Sequence, residues 1–383
     1  MIRVAIVGAG AISSFHIEAY LTFPDRCRIV AVADIDQERA ERRIAQYGLD
    51  AVAVSSIGDL PPVDLASVCT PPGTHADLTI SLLSAGIHTL CEKPMAASVA
   101  ECDAMIAAGA DGGAILSVVA QNRFTDPMAK LKRVLDAGLA GPMVHARADS
   151  HWWRGTNYYD LWWRGTWESE GGGPTLNHAV HHIDMLRWMA GAPSQVQAIM
   201  ANVAHDNAEV EDLSLAMLRF PSGALGEVVS SVVHHGQEQS MVFQCIRASV
   251  ASPWAVVAST QRPDGFPKRD TETEAAITAF HDELPSLRYE GHPGQIDDVL
   301  TAIESGTGDV LVDGEQGRGT VELISGIYES AITGSRVALP LAADDPFRTR
   351  EGLIAAAPRF HEKQASVRRF ATEERISTTG GQA

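Results

Sequence analysis

Basic residues are scarce in this chain. Its 383 residues carry 30 Lys and Arg against 48 Asp and Glu, a formal charge of −18, and no block of cations interrupts the excess. A surface of that sign repels phosphate backbones and anionic headgroups, which argues against nucleic acid or a membrane as partner. Cysteine is equally sparse: the 5 cysteines form no CxxC pair and their number is odd. No apolar run reaches the ~18 residues that a membrane span needs, and Met1–Val7 runs straight into a glycine turn with no resemblance to a signal peptide. These absences lead us to expect a reduced, cytoplasmic protein with free thiols. What remains is ordinary: 45% of residues are hydrophobic, and the length suits two domains with normal cores.

The first 121 residues alternate strand and helix patterns. Apolar runs at 2–7, 28–33, 63–69, 87–91 and 114–119 read as buried strands. Between them, Asp36 caps a helix that stops at Gly48. Thr74 with Asp77 resembles a capping box, with Gly86 closing the helix, and Ser98 with Glu101 starts one ending at Gly109. Such alternation predicts an α/β fold with a doubly wound parallel sheet.

Past residue 122 the pattern changes. A helix over 126–135 is followed by alternating segments at 143–149, 195–203, 212–220, 224–233, 240–248 and 254–259, with a hairpin turn at Pro221-Ser222-Gly223. We therefore expect residues 1–121 to form one domain. Residues 122–383 are expected to form an α+β domain with a large, mostly antiparallel open sheet, covered by helices near 293–304 and 315–333. The charged tail after 345 is expected to wrap a neighbouring surface or lie loose. Between the halves, Trp152-Trp153-Arg154-Gly155-Thr156 recurs as Trp162-Trp163-Arg164-Gly165-Thr166. Two aromatic–Arg clusters in one loop can line a pocket over a ring or a phosphate, or simply pack against the sheet.

Gly8-Ala9-Gly10 ends a strand and opens a helix, the context in which a glycine turn cradles a pyrophosphate at a helix N-terminus. Ser13 stands at the third glycine position and is small enough for close packing. Asp34, at the end of the second strand, can accept from both ribose hydroxyls and would repel a 2′-phosphate, so NAD is expected over NADP. Arg39 is the residue that would have to reverse that preference. Thr70-Pro71-Pro72 and Glu92-Lys93-Pro94 stand at strand ends on the edge where such sheets bind ligands. Candidate cofactor contacts are Gly8, Gly10, Ala11, Ile12, Asp34, Thr70, Pro71, Pro72, His75, Glu92, Lys93 and Gln121.

These motifs, with the run Gly171-Gly172-Gly173-Pro174-Thr175-Leu176-Asn177-His178-Ala179-Val180-His181-His182-Ile183-Asp184, resemble the glucose–fructose oxidoreductase/inositol dehydrogenase family (Gfo/Idh/MocA). The likeness extends to His292–Gln295, Ile327–Ala331 and Val337–Pro340. It implies that Lys93 and His181 flank the reacting carbon. Asn177 replaces the family's Asp four residues before that His, and the i, i+4 spacing would point both into the cleft. This variant looks closest to members acting at the 3-position of sugars and nucleotide-linked sugars. Arg123, Trp163, Arg164 and Tyr328 are further candidates for substrate contact.

The resemblance implies an NAD-dependent dehydrogenase acting on a secondary hydroxyl of a sugar, glycoside or cyclitol, in a homodimer or homotetramer. A UDP-sugar 3-dehydrogenase and a non-catalytic NAD/sugar sensor are the alternatives. No metal is expected, because His178, His181 and His182 lack the spacing of a common zinc motif.

Overall fold

In the computed structural model, which describes residues 1–367, the apolar runs of the first third form a six-stranded parallel sheet. Its strands are β1 (Ile2–Val7), β2 (Cys27–Ala33), β3 (Val52–Val54), β4 (Leu65–Val68), β5 (His88–Cys91) and β6 (Leu116–Val118). The spatial order β3-β2-β1-β4-β5-β6 reverses direction between β1 and β4, opening a crevice at the carboxyl ends of the strands. Helices α1 (Ser13–Tyr20), α2 (Gln37–Tyr47), α3 (His75–Ser84) and α4 (Val99–Gly112) make the connections.

Local chemistry sets most of these boundaries. The Asp36 side chain accepts from the Arg39 amide, and Gly48 ends α2 in the left-handed region at φ 60°. Ser98 accepts from Glu101, whose own carboxylate returns to the Ala97 amide at 3.0 Å. Two expectations fail. Thr74 caps nothing: Pro72–Thr74 forms a 3₁₀ turn that runs directly into α3, and the hydroxyl donates to Pro71 O and Thr70 Oγ1 instead. Gly109 does not end α4, which continues to Gly112. A Cβ on Gly109 would stand 3.2 Å from Ala114 O, so that glycine serves close packing.

The second sheet has nine strands in the order β14-β13-β12-β11-β7-β10-β9-β8-β15. They are β7 (Met143–His151), β8 (Gln195–Ala201), β9 (Leu213–Arg219), β10 (Leu225–Ser231), β11 (Gln239–Cys245), β12 (Ala248–Ser252), β13 (Ala255–Gln261), β14 (Pro267–Arg269) and β15 (Val337–Ala338). β7 and β10 pair in parallel and the other neighbours antiparallel. Pro221-Ser222-Gly223 turns β9 into β10, as expected. β12 was not anticipated, because Ala-Ser-Val-Ala-Ser offers little hydropathy contrast. Helix α8 (Thr271–Glu283) also escaped, since only Glu274 and Ile277 on it are buried.

One face of this sheet packs against α5 (Asp126–Asp136), α7 (Val180–Ala190), α8 and α10 (Gly314–Thr333) through Leu131, Ile183, Ile277, Ile324 and Ile327. The other face leaves Ile199, Met217 and Val257 at 60–66% exposure. Helix α9 (Gly291–Ser305) crosses back to the first sheet, where Ile296, Val299 and Leu300 join Ile6 and Ile17 in one core. The expected division at residue 121 is thus bridged by a late helix. After residue 345 the chain forms α11 (Arg350–Ala356), and Trp167 Nε1 donates to Pro358 O at 2.8 Å. Among the described residues, no helix is long and apolar enough to cross a membrane.

Candidate active site

The glycine turn sits where the sheet order reverses. Gly8 has φ +98°, and a Cβ there would stand 2.8 Å from the Cys69 carbonyl. Gly10 differs: a Cβ there would meet nothing within 4 Å, so the turn is open on that side. Ser13 closes it through Oγ to Gly10 O at 2.7 Å. Asp34 Oδ2 accepts from the Ala9 amide at 2.8 Å and Oδ1 from the Asp36 amide at 2.9 Å, so this carboxylate also braces the turn. Arg39 stands 3.7 Å from Asp34, and Arg43, which sequence reasoning missed, donates to Ala9 O and Gly10 O.

Ala11 and Ile12 lead into α1, and Thr70, Pro71 and Pro72 follow β4 at the same sheet edge. Gln121 Oε1 is buried without a partner. These residues fit NAD: the open turn at Gly10 admits phosphate, Asp34 keeps lone pairs for hydroxyls, and Gln121 offers an unused acceptor.

Beyond β5, Glu92 is buried and Lys93 half-buried. Burial lowers the Lys93 pKa, with Glu92 opposing and Arg164 adding to the shift. His75 never reaches the surface. Its Nδ1 lies 2.8 Å from Pro94 O and its Nε2 2.8 Å from Thr70 O, so the ring clamps the ends of β4 and β5 together. Burial pulls its pKa down, but Cys91 and the two carbonyls outweigh that and raise it to about 9.

The other wall comes from the second half. Glu211 accepts from the amides of Gly173 and Thr175, both at 3.1 Å, and thereby satisfies the N-terminus of the short helix α6 (Pro174–Asn177). A turn at His178-Ala179 then separates α6 from α7. Asn177 and His181 therefore do not share one continuous helix, contrary to the spacing argument. Asn177 Nδ2 donates to Gly172 O at 2.8 Å. His181 begins α7 and lines a small cavity together with Lys93, Ala120 and Val180. Burial, then the Lys93 charge, hold the His181 pKa well below 6.5, so the imidazole is neutral at neutral pH.

The duplicated Trp-Trp-Arg segments meet over one ring. Arg164 stacks 4.1 Å from the Tyr158 centroid and 4.1 Å from that of Trp163, and Arg154 lies 5.5 Å over Tyr158. The Tyr158 hydroxyl accepts from Arg164 and stands 3.3 Å from His178 Nε2. Sequence reasoning did not single out Tyr158; its place between the two repeats was the available signal.

Two candidates lie elsewhere. Arg123 is 1% exposed, with Nε and NH2 on Asp184 at 2.8 and 2.7 Å and NH1 on Gln316 at 3.2 Å. Tyr328 is 1% exposed, packs under Gly172 and donates to Glu211 at 3.0 Å. Both side chains are spent on the scaffold behind the site. Among the described residues, the cluster able to hold a metal is His16, Glu92 and His292, outside the His178–His182 run.

Residues 2–120 match the family model "Oxidoreductase family, NAD-binding Rossmann fold", and residues 128–251 match "GFO/IDH/MocA C-terminal domain". A levoglucosan dehydrogenase from Pseudarthrobacter phenanthrenivorans is 26% identical over 63% of this chain and 70% of its own. A D-glucoside 3-dehydrogenase from Escherichia coli is 26% identical over 88% of this chain and 97% of its own. The crystal structure of the WlbA dehydrogenase from Chromobacterium violaceum, in complex with NADH and UDP-GlcNAcA, superposes with a TM-score of 0.76 at 30% identity, covering 89% of this chain and 96% of that one. With its parallel cofactor sheet, its mixed second sheet and both domain models matched in order, the chain belongs to the Gfo/Idh/MocA family of NAD-binding oxidoreductases.

Proposed function

We propose that the chain oxidises a secondary hydroxyl of a sugar, glycoside or cyclitol, at the 3-position in a hexose, with Lys93 and His181 as the residues that handle the hydroxyl. The observation that carries this is their meeting: a Lys at the end of β5 and a neutral His at the start of α7 line one cavity. Bound at the glycine turn, NAD supplies the hydride acceptor. An imidazole nitrogen of His181 takes the hydroxyl proton, while the Lys93 ammonium donates a hydrogen bond to the same oxygen and stabilises its developing negative charge. Asn177, Trp163 and Arg164 hold the rest of the sugar. Gly8, Gly10, Ala11, Ile12, Asp34, Thr70–Pro72 and Gln121 hold the cofactor, and His75 and Glu92 position the loops that carry Thr70 and Lys93.

In this proposal residues 1–121 bind cofactor and residues 122–383 bind substrate and assemble the oligomer. The exposed apolar face of the nine-stranded sheet is the surface that a second copy covers in a homodimer or homotetramer. Light scattering on the purified chain tests this assembly, and a monomer at high concentration would refute it. The five free cysteines suit a reducing cytoplasm.

The activity is tested by NADH formation with a panel of inositols, hexoses, anhydrosugars, glycosides and UDP-sugars. Turnover of at least one class supports the proposal; tight binding with no NADH from any of them overturns it in favour of a sensor.

A further inference from the structure

The loop carrying the two Trp-Trp-Arg segments holds a cation that the protein does not neutralise. Arg164 is ion-paired to Glu170 at 3.0 Å. Arg154 is different: among the described residues no carboxylate oxygen lies within 4.0 Å of its guanidinium, and NH1 donates only to neutral oxygens, Trp153 O at 2.7 Å and Gln237 Oε1 at 3.2 Å. The side chain is half-buried, 5.2 Å over the Trp152 ring and 5.5 Å over Tyr158. Its backbone is fixed at both ends: the amide donates to Val232 O at 2.8 Å, and the carbonyl lies 3.0 Å from His205 Nε2, whose Nδ1 is held by Asp212 at 3.0 Å. In a chain with 18 surplus negative charges, an unpaired guanidinium anchored this firmly beside the site is a local reversal of sign.

Its neighbours carry the same sign. The Tyr158 ring that Arg154 covers is also covered by Arg164, and that hydroxyl contacts His178. Burial first, then the charges of Arg154, Arg164 and Lys93, hold the His178 pKa well below 6.5. Three acids beside the cluster are already committed: Asp212 is bonded to His205 and to the amides of Val203 and Ala204. Glu170 is bonded to Arg164 and to the Gly165 amide, and Glu92 to His16 and the Lys93 amide. Among the described residues Arg154 is thus the guanidinium of this cluster without a carboxylate partner, with planar donors suited to a carboxylate or phosphate.

We infer that Arg154, supported by Arg164 and Tyr158, is an anion subsite of the substrate cleft, and that the substrate is a sugar bearing a carboxylate or a phosphate. The inference rests on the dehydrogenase activity proposed above and names the substrate class of that site. A neutral sugar leaves the guanidinium unpaired; an anionic one completes the charge at a position displaced from the reacting hydroxyl.

The test compares methyl glucuronide, glucose 1-phosphate and methyl glucoside in NADH formation, and their binding to the NADH-loaded protein by calorimetry. At low salt, one anionic sugar should exceed the neutral glycoside at least about tenfold in kcat/KM, the factor carried by a charged hydrogen bond. That ratio should shrink in salt, collapse toward one in Arg154→Met and recover in part in Arg154→Lys. Preference for glucuronide assigns a carboxylate, and preference for the phosphate ester assigns a phosphate. Equal or better use of methyl glucoside, with Arg154→Met leaving the ratio unmoved, overturns the inference and leaves the dehydrogenase proposal standing. If no sugar yields NADH, the dehydrogenase proposal fails and calorimetry decides the subsite: Arg154-dependent binding of an anionic sugar supports it, and equal or absent binding refutes it.

Discussion

His16 Nε2 lies 3.0 Å from Glu92 Oε1, and His292 Nε2 approaches the same oxygen at 3.7 Å. The three residues come from α1, the end of β5 and α9, and all are buried. The second carboxylate oxygen accepts from the Lys93 amide at 3.0 Å. Burial would raise the Glu92 pKa, but the two histidines hold it well below 4.5. One ionised carboxylate thus ties α1 to the backbone of Lys93, with His292 of α9 beside it and its Nε2 without a hydrogen-bond partner.

Glu92→Gln keeps the volume and removes the charge. Because displacement of a reacting group by about 1 Å can cost on the order of 10²-fold, kcat should fall by about that much while KM for sugar changes far less. Steady-state kinetics check it. A rise in KM with kcat unchanged would show that Glu92 does not act through Lys93.

The pH dependence of kcat/KM follows from the two shifted groups. His181 is held well below its ordinary 6.5 by burial and then by Lys93, so the acid limb should fall well below pH 6.5. Lys93 is lowered from 10.5, chiefly by burial, so the alkaline limb should begin before pH 10.5 as the ammonium is lost. In Lys93→Arg, whose charge persists, the alkaline limb should move out of range even if the rate is reduced. An unmoved limb would assign it to another group.

His75 predicts a stability change with pH. Its folded pKa is raised to about 9 from 6.5, so its contribution is complete below pH 6.5 and is lost as pH rises through about 9. The shift corresponds to on the order of 3 kcal/mol. Thermal midpoints of the protein should therefore drop between pH 6.5 and 9, more steeply than those of His75→Gln. Parallel profiles would show that the clamp is not titrating.

Arg123 and Asp184 form a buried bidentate pair, with Thr320 Oγ1 3.2 Å from Asp184. Arg123→Met leaves a buried carboxylate unpaired and should cost about 3–5 kcal/mol. Denaturant unfolding reads that loss. A raised KM for sugar at full stability would instead restore Arg123 as a substrate contact.

Much of the first sheet was legible because buried parallel strands read as apolar runs and its turns need Gly8, Gly48 and Ser98 at fixed places. Small residues hid β12, and a mostly solvated surface hid α8. Motifs singled out Lys93 and His181, and the structure brings the two to one cavity. Spacing did not reveal the two-residue turn at His178-Ala179, which places Asn177 at the end of α6 and His181 in α7. Arg123 and Tyr328 look functional in sequence since both are polar or aromatic within family-like stretches; only their partners Asp184 and Glu211, distant in the chain, reveal them as scaffold. His16 and His292 were unreadable as a pair for the same reason.

The most direct test is NADH formation at saturating sugar by the unmodified protein, Lys93→Met and His181→Ala, with NADH binding titrated in parallel. Loss of either hydrogen-bonding group should lower turnover by about 10²–10⁴-fold while NADH still binds. Turnover near that of the unmodified protein in either variant would contradict the role assigned to that residue and, in both, the account as a whole.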